Sequence, residues 1–321
     1  QDINDKLQTI TVAEPSLGTQ AKDKLTELND TYLSKNTTIS DTVKYQGLVL
    51  GESYTIKGYL VDKDTGSPII VGDTPLYAET TFVAENTNGT VDVEFTFDST
   101  ELIGKSIVCF EYLYFDNNLI AEHTDINDNG QTITFAQPKI KTTAKDKSTN
   151  TNQAYTSTKT TIVDTVKYTG LIIGKEYTVT GVLMSKETGK ALLVGGKQVT
   201  ATKTFKATTE NGSVDVEFTF DSSALEGKSV VVFETLYFND LEIATHADIN
   251  DKGQTVTFEK PDEIESSGTP DQIDSTGKPD TTESTPYKST PYTGSSVPYV
   301  LIILFISSAG IIFLSRKKAN N

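Results

Sequence analysis

The chain has 321 residues, and 44 acidic against 28 basic side chains give a net charge of −16. Without a basic stripe to neutralise phosphates, nucleic acid is excluded as a partner, and the acidity suits an exposed, soluble protein. Cys109 is the single cysteine, so no intrachain disulfide can form, and no cofactor or metal set is evident.

From the start, Asp2 to Pro15 matches Asp125 to Pro138 and again Asp248 to Pro261, with the three prolines 123 residues apart. Residues 1–14 therefore read as the tail of a truncated upstream repeat. Beyond Pro15 the period runs without insertion: Asp41 recurs as Asp164, Asn88-Gly89 as Asn211-Gly212 and Gln131 as Gln254. A period of 123 residues is domain-sized, which gives domains at 15–137 and 138–260. Within each, segments such as TVKYQGLVL, SYTIKGYLV, TVDVEFTF, SIVCFEYLYF and QTITF favour strands. Asn88-Gly89 suits a hairpin because both residues tolerate positive φ. No helical period is sustained. The expected class is all-β: two tandem immunoglobulin-like β-sandwich domains, a disordered linker and a C-terminal hydrophobic helix.

Residues 261–289 are rich in proline, serine, threonine and acid and bury no core, so they read as an extended, wall-spanning linker. Residues 290–321 hold Thr290-Pro291-Tyr292-Thr293-Gly294, an apolar run over 297–314 and Arg316-Lys317-Lys318. The run is long enough to span a bilayer, with the basic cluster on the cytoplasmic side. A single-pass anchor is one reading. In its order of parts the tail also resembles a Gram-positive cell-wall sorting signal, with Thr290 where leucine is usual. That resemblance implies cleavage between Thr293 and Gly294 by a sortase, and attachment to peptidoglycan through Thr293.

Strand alternation decides which side chains meet. Gln131, Ile133 and Phe135 share a face, as do Ile107, Cys109, Glu111, Leu113 and Phe115; Val230, Val232, Glu234, Leu236 and Phe238 repeat it. A carboxylate inside such a face is costly unless paired or protonated. On the first strand Leu17, Thr19 and Ala21 share a face, matched by Ile140, Thr142 and Ala144. Thr19 to Gln131 spans 112 residues, as does Thr142 to Gln254. His123 and His246, the only two histidines, each stand eight residues before a glutamine. These groups could form a satisfied polar network in a β-core, or a reaction centre.

The runs VCFEYL and VVFETL, DTVKY and the pattern HxDxxDxxQT resemble the VaFE repeat, or Thr–Gln ester-bond domain, of Gram-positive surface proteins. The resemblance covers both domains. It implies an intramolecular ester in each, closed with release of ammonia: Thr19 and Thr142 as nucleophiles, Gln131 and Gln254 as electrophiles. His123 and His246 would take the hydroxyl proton. Glu111 with Asp128, and Glu234 with Asp251, would form proton-sharing acid pairs. Gln8 would lack its threonine. Thr143, Thr37 and Thr160 are rival nucleophiles. The function implied is a cell-wall-anchored adhesin stalk, resistant to force and proteolysis, with single-turnover chemistry in place of enzymatic turnover. A host surface ligand would be bound by a region ahead of these repeats. Two alternatives remain: host-ligand binding by the domains themselves, and a pilus-type shaft with Lys–Asn isopeptide bonds, for which Lys22 and Lys24 fall on the wrong face. DINDNG imitates an EF-hand opening, but Ala136 and Lys252 fall at ligand positions and no helices flank it.

Overall fold

The structure is a computed structural model and describes residues 14–260. The expected upstream tail at 1–14, apart from Glu14, the linker, the TPYTG segment and the 297–314 run lie outside the described residues. The first domain is built from β1 (Ser16–Asp23), β2 (Asp30–Tyr32), β3 (Thr37–Gln46), β4 (Ser53–Asp62), β5 (Ile70–Val71), β6 (Thr74–Pro75), β7 (Tyr77–Val83), β8 (Gly89–Phe97), β9 (Ser106–Phe115), β10 (Asn118–His123) and β11 (Thr132–Ala136). The second repeats the series as β12 (Lys139–Asp146), β13 (Gln153–Tyr155), β14 (Thr160–Thr169), β15 (Glu176–Ser185), β16 (Leu193–Val194), β17 (Lys197–Gln198), β18 (Thr200–Lys206), β19 (Gly212–Phe220), β20 (Ser229–Phe238), β21 (Leu241–His246) and β22 (Thr255–Glu259). All are strands, as the alternation demands.

In each domain a three-stranded sheet, β1-β3-β8 or β12-β14-β19, faces a six-stranded one, β2-β11-β9-β4-β7 with β10 also on β9, or its counterpart. β3 alternates buried side chains with part-buried or exposed ones along Thr37 to Tyr45, which puts Ile39, Asp41 and Val43 inside. Opposite them lie Ile107, Cys109, Glu111 and Leu113 of β9. Gly58 on β4 is paired with Glu111, and Phe95 fills the space where a Cβ would stand, 2.5 Å from its ring atom; Gly181 and Phe218 repeat this.

The first and last strands of a domain do not form a ladder. β1 belongs to the small sheet and β11 to the large one, where it also runs parallel to β2. At the open edge β1 is tied to the turn just ahead of β11 by a backbone bond, Ala21 N–H to Gly130 O at 3.0 Å. Asn29 pins the same edge: its amide nitrogen donates to Ala21 O, Gly130 O and Thr132 O at 3.0, 3.2 and 3.1 Å.

The two domains meet through Tyr32, which ends β2 and packs into the core of the second domain. Its ring lies 5.5 Å from Phe238 and 6.3 Å from Tyr177 between centroids, contacts that add about 1 kcal/mol each beyond area burial. Its hydroxyl lies 2.6 Å from that of Tyr177, and the Ile172 N–H donates to both, at 3.1 and 3.0 Å.

Candidate functional site: a buried Thr–Gln junction in each domain

Along one edge β9 changes partners. Ser106–Val108 pairs with β11, and Glu111–Phe115 pairs with β10, with His123 directly opposite Glu111. The change falls at Cys109, whose N–H donates to Gln131 O at 3.2 Å. The loop from His123 to Gln131 therefore leaves β9 and returns to it within one turn of pleat, which brings histidine, glutamine and glutamate together. Asp128 shapes the loop: its Oδ1 accepts the Gly130 N–H at 2.7 Å, and its carbonyl accepts the Thr132 hydroxyl at 2.7 Å. Gly130 passes close beneath, since a Cβ there would stand 3.1 Å from Asp128 Oδ1 and 3.8 Å from Thr19 O. Asp125 Oδ1 accepts the Asn127 N–H at 2.9 Å. The acidic side chains of DINDNG thus build turns.

From the opposite sheet come Thr19 on β1 and Asp41 on β3. The second domain supplies Thr142 and Asp164 from β12 and β14. There the junction is drawn tight. Thr142 and Gln254 are buried, and the Gln254 amide nitrogen contacts Thr142 Oγ1 directly. It also donates to Glu234 Oε2 at 2.6 Å, and the Thr142 hydroxyl donates to the same oxygen at 3.2 Å. In the first domain Gln131 Nε2 donates to Glu111 Oε2, while Thr19 Oγ1 is buried near Glu111 but meets no partner at hydrogen-bonding geometry.

The acid pairs differ from expectation. Glu111 does not pair with Asp128, nor Glu234 with Asp251. Asp128 lies in the loop outside the sandwich, where its Oδ2 is 2.9 Å from His123 Nε2; Asp251 and His246 repeat this at 2.9 Å. Glu111 faces Asp41 instead, and Glu234 faces Asp164, because both carboxyls project inward from facing strands. Sequence reasoning missed Asp41 and Asp164. The signal was present, since strand alternation in TTISDTVKY puts Asp41 on the face of Ile39 and Val43.

Both carboxyls of a pair are pushed above the ordinary range. Burial is the largest cause, and for Glu111 and Glu234 the facing aspartate adds to it by hydrogen bonding and charge. Both Asp41 oxygens, Glu111 Oε1 and Gln131 Oε1 find no donor among the protein groups, and the second site repeats the list. A proton held between the two carboxyls supplies the missing donor, since two such charges cannot both ionise side by side. Asp128 and Asp251 move the other way. Partial burial raises them, but the histidine hydrogen bond and the glycine N–H outweigh it and hold them below the usual carboxylate value.

The histidines stand at the rim, turned to these aspartates; the hydroxyl of Thr142 is bonded to Glu234 and not to His246. The rival threonines lie elsewhere. Thr143 points to solvent, while Thr37 and Thr160 bond Ser99 and Ser222 at 2.7 and 2.6 Å. Lys22 is exposed, and Lys24 pairs with Glu94 on the surface at 2.7 Å. Oxygen and sulfur atoms of Asp41, Cys109 and Glu111 lie within 4.8 Å of one another, but Val232 stands in place of Cys109 in the second domain, so the repeated chemistry needs only the two acids. Thr293 and Gly294 lie outside the described residues.

Two immunoglobulin-like sandwiches, each with a first-strand threonine and a buried glutamine beside a pair of facing acids, the threonine and glutamine in contact in the second, define the class of protein. The model of the T-Q ester bond containing domain matches residues 15–135 and 138–258, and the chain belongs to that family. Among solved structures, a Mobiluncus mulieris adhesin containing intramolecular disulfide, isopeptide and ester bond cross-links is 14% identical, with 71% of this chain and 82% of that one covered and a TM-score of 0.32. The C-terminal domain of a Streptococcus pyogenes antigen I/II-family protein is 9% identical, with 78% and 100% covered and a TM-score of 0.39. No curated protein sequence matches the chain.

Proposed function

We propose that each domain closes an ester between its first-strand threonine and its last-strand glutamine, Thr19 with Gln131 and Thr142 with Gln254, and that the pair forms the rigid stalk of a bacterial surface adhesin. The observation that carries this reading is the contact of Thr142 Oγ1 with the Gln254 amide in a buried site where Glu234 accepts the hydroxyl. The carboxyl pair holds one proton and one negative charge. Glu234 takes the hydroxyl proton as Oγ1 attacks Cδ of Gln254, and the proton shared with Asp164 meets the developing oxyanion. Collapse breaks the C–N bond, and the nitrogen accepts the threonine's proton and leaves as ammonia. Glu111 and Asp41 act likewise on Thr19 and Gln131. His123 and His246 stand one cross-strand step away, held by Asp128 and Asp251, and relay protons between the pair and solvent.

An ester between the two ends of a domain shunts tension past the strand ladders, which then need not break. By analogy with a disulfide, closing a loop of about 100 residues stabilises by roughly 4–5 kcal/mol, and it does so without a redox-sensitive bond. The tail, with Thr293 as the joining residue, fits anchorage to a Gram-positive wall by a sortase, so the domains would stand outside the cell. Intact mass tests the chemistry. The folded protein should weigh two ammonia less than its sequence, and full calculated mass in folded protein refutes the ester.

A further inference from the structure

The contact between the domains is a plug in a socket, and the socket occurs twice. Tyr32 is the plug, 1% exposed once seated. Its socket is Tyr177, Phe238 and the backbone N–H of Ile172. One period earlier, Tyr54, Phe115 and Val49 form the same arrangement on the first domain. The Val49 N–H donates to Tyr54 O–H at 2.9 Å, as Ile172 does to Tyr177 at 3.0 Å. The Tyr54 and Phe115 rings stand 5.2 Å apart, against 5.6 Å for Tyr177 and Phe238. The first socket is thus already formed, and it is open. Val49 is 57% exposed where Ile172 is 8%, and Phe115 is 38% exposed where Phe238 is 4%.

We propose that this surface is a docking site for a further copy of the domain, joined ahead of Pro15 as the first domain is joined ahead of Pro138, with its own tyrosine at the Tyr32 place seated between Val49, Tyr54 and Phe115. The occupant follows from the residues around the plug. Ala136 packs beside Tyr32 against the second domain, and the junction ahead of Pro15 carries Ala13 at that place. The other candidate is a second chain offering Tyr155, which is 48% exposed at the far pole of the second domain. That pole has Glu259 at the Ala136 place, Glu226 at the Ile103 place and Thr151 at the Leu28 place. A carboxylate pressed into an apolar seat loses its solvation without a partner; Glu52 stands where Lys175 donates to the Thr26 carbonyl at the existing junction, so that one contact is not reproduced at the open pole with either occupant. The array therefore continues from the first domain's open pole and is capped by polar residues at the second domain's far pole. This inference concerns packing and stands whether or not the ester forms.

The test uses the full chain and the same chain with a copy of residues 15–137 inserted ahead of Pro15. Hydrogen exchange at the Val49 amide should slow at least about tenfold in the extended chain, since the amide gains a buried second acceptor. It should return to the parent rate when the added copy carries serine at its plug position. Val49→Asp, at an exposed position that leaves folding intact, should also abolish the gain in thermal stability that the added copy confers on its neighbour. Unchanged Val49 exchange in the extended chain overturns the proposal. So does a concentration-dependent head-to-tail association of the parent chain that Tyr155→Ser abolishes, because the site would then serve a second chain.

Discussion

The two junctions share their residues, their register and their buried acids, yet they differ at the nucleophile. Thr142 is buried, touches the Gln254 amide and donates to Glu234; Thr19 is half-buried and has no hydrogen-bond partner. The first strands differ in cover as well. β12 alternates cleanly between buried and exposed side chains, whereas β1 is only partly covered from Leu17 to Thr19. Gly18 stands where the second domain has Lys141, with open space around it, and glycine inside a strand leaves the backbone loose. The same set of side chains is thus held at two degrees of closeness, and both neighbours of the threonine differ, Gly18 against Lys141 and Gln20 against Thr143.

The largest expected effect comes from removing the better-placed hydroxyl. Thr142→Ala should restore one ammonia's worth of mass and lower the melting of the second domain by about 15–20 °C, from a loss of roughly 4–5 kcal/mol. Calorimetry should show the first transition unmoved. Next come the acids that pattern reading missed. Asp164→Asn or Asp41→Asn should slow closure about 10²–10⁴-fold in its own domain only, followed by mass spectrometry during refolding. A rate equal to the parent's would remove these aspartates from the chemistry.

The paired acids also set a pH dependence once the ester is prevented. In the Thr142→Ala variant, Glu234 binds its proton more tightly folded than unfolded. Its contribution is complete below about pH 4.5, the ordinary value for a glutamate, and is lost as the pH rises through the raised folded value. Urea midpoints should fall as the pH rises from about 4.5 towards about 11, and Glu234→Gln in that background should flatten the slope. Asp251 has the opposite sign: lowered in the folded state, it contributes above about pH 3.8 and loses that contribution as the pH falls.

Smaller differences separate the domains themselves. On refolding, the cross-linked peptide containing Thr142 should appear before that containing Thr19, because Thr19 has a contact still to make. Gly18→Ala should stabilise the first domain by about 0.5 kcal/mol and narrow that lag. An unchanged lag would place the cause outside β1.

Much of the site is legible from alternation alone. Thr19, Thr142, Glu111, Glu234, Gln131 and Gln254 all sit on or beside strands, where a period of two fixes their inward face. Asp41 obeys the same rule, but it lies far along the chain from the HxDxxDxxQT run, and nothing local links the two. Asp128 departs from the expected pairing with Glu111 for the opposite reason. It is close to Gln131 in sequence, but it lies in a loop, where no period governs direction and the Gly130 N–H turns it toward His123. Nor does alternation tell which sheet a strand joins. That β1 and β11 meet edge to edge from different sheets depends on long-range pairing that no local pattern encodes.

Asn29 gives this arrangement a further meaning. Its single amide holds Ala21, Gly130 and Thr132 together at the seam between the two sheets, immediately beside the Thr19–Gln131 junction. That seam closes only when β1, the Asn29 turn and the start of β11 have all reached their final places, so a threonine can reach its glutamine only in a chain that has finished folding. The proposed ester would then work as a seal of inspection on the first domain, written once and only after its two sheets have met at the Asn29 seam.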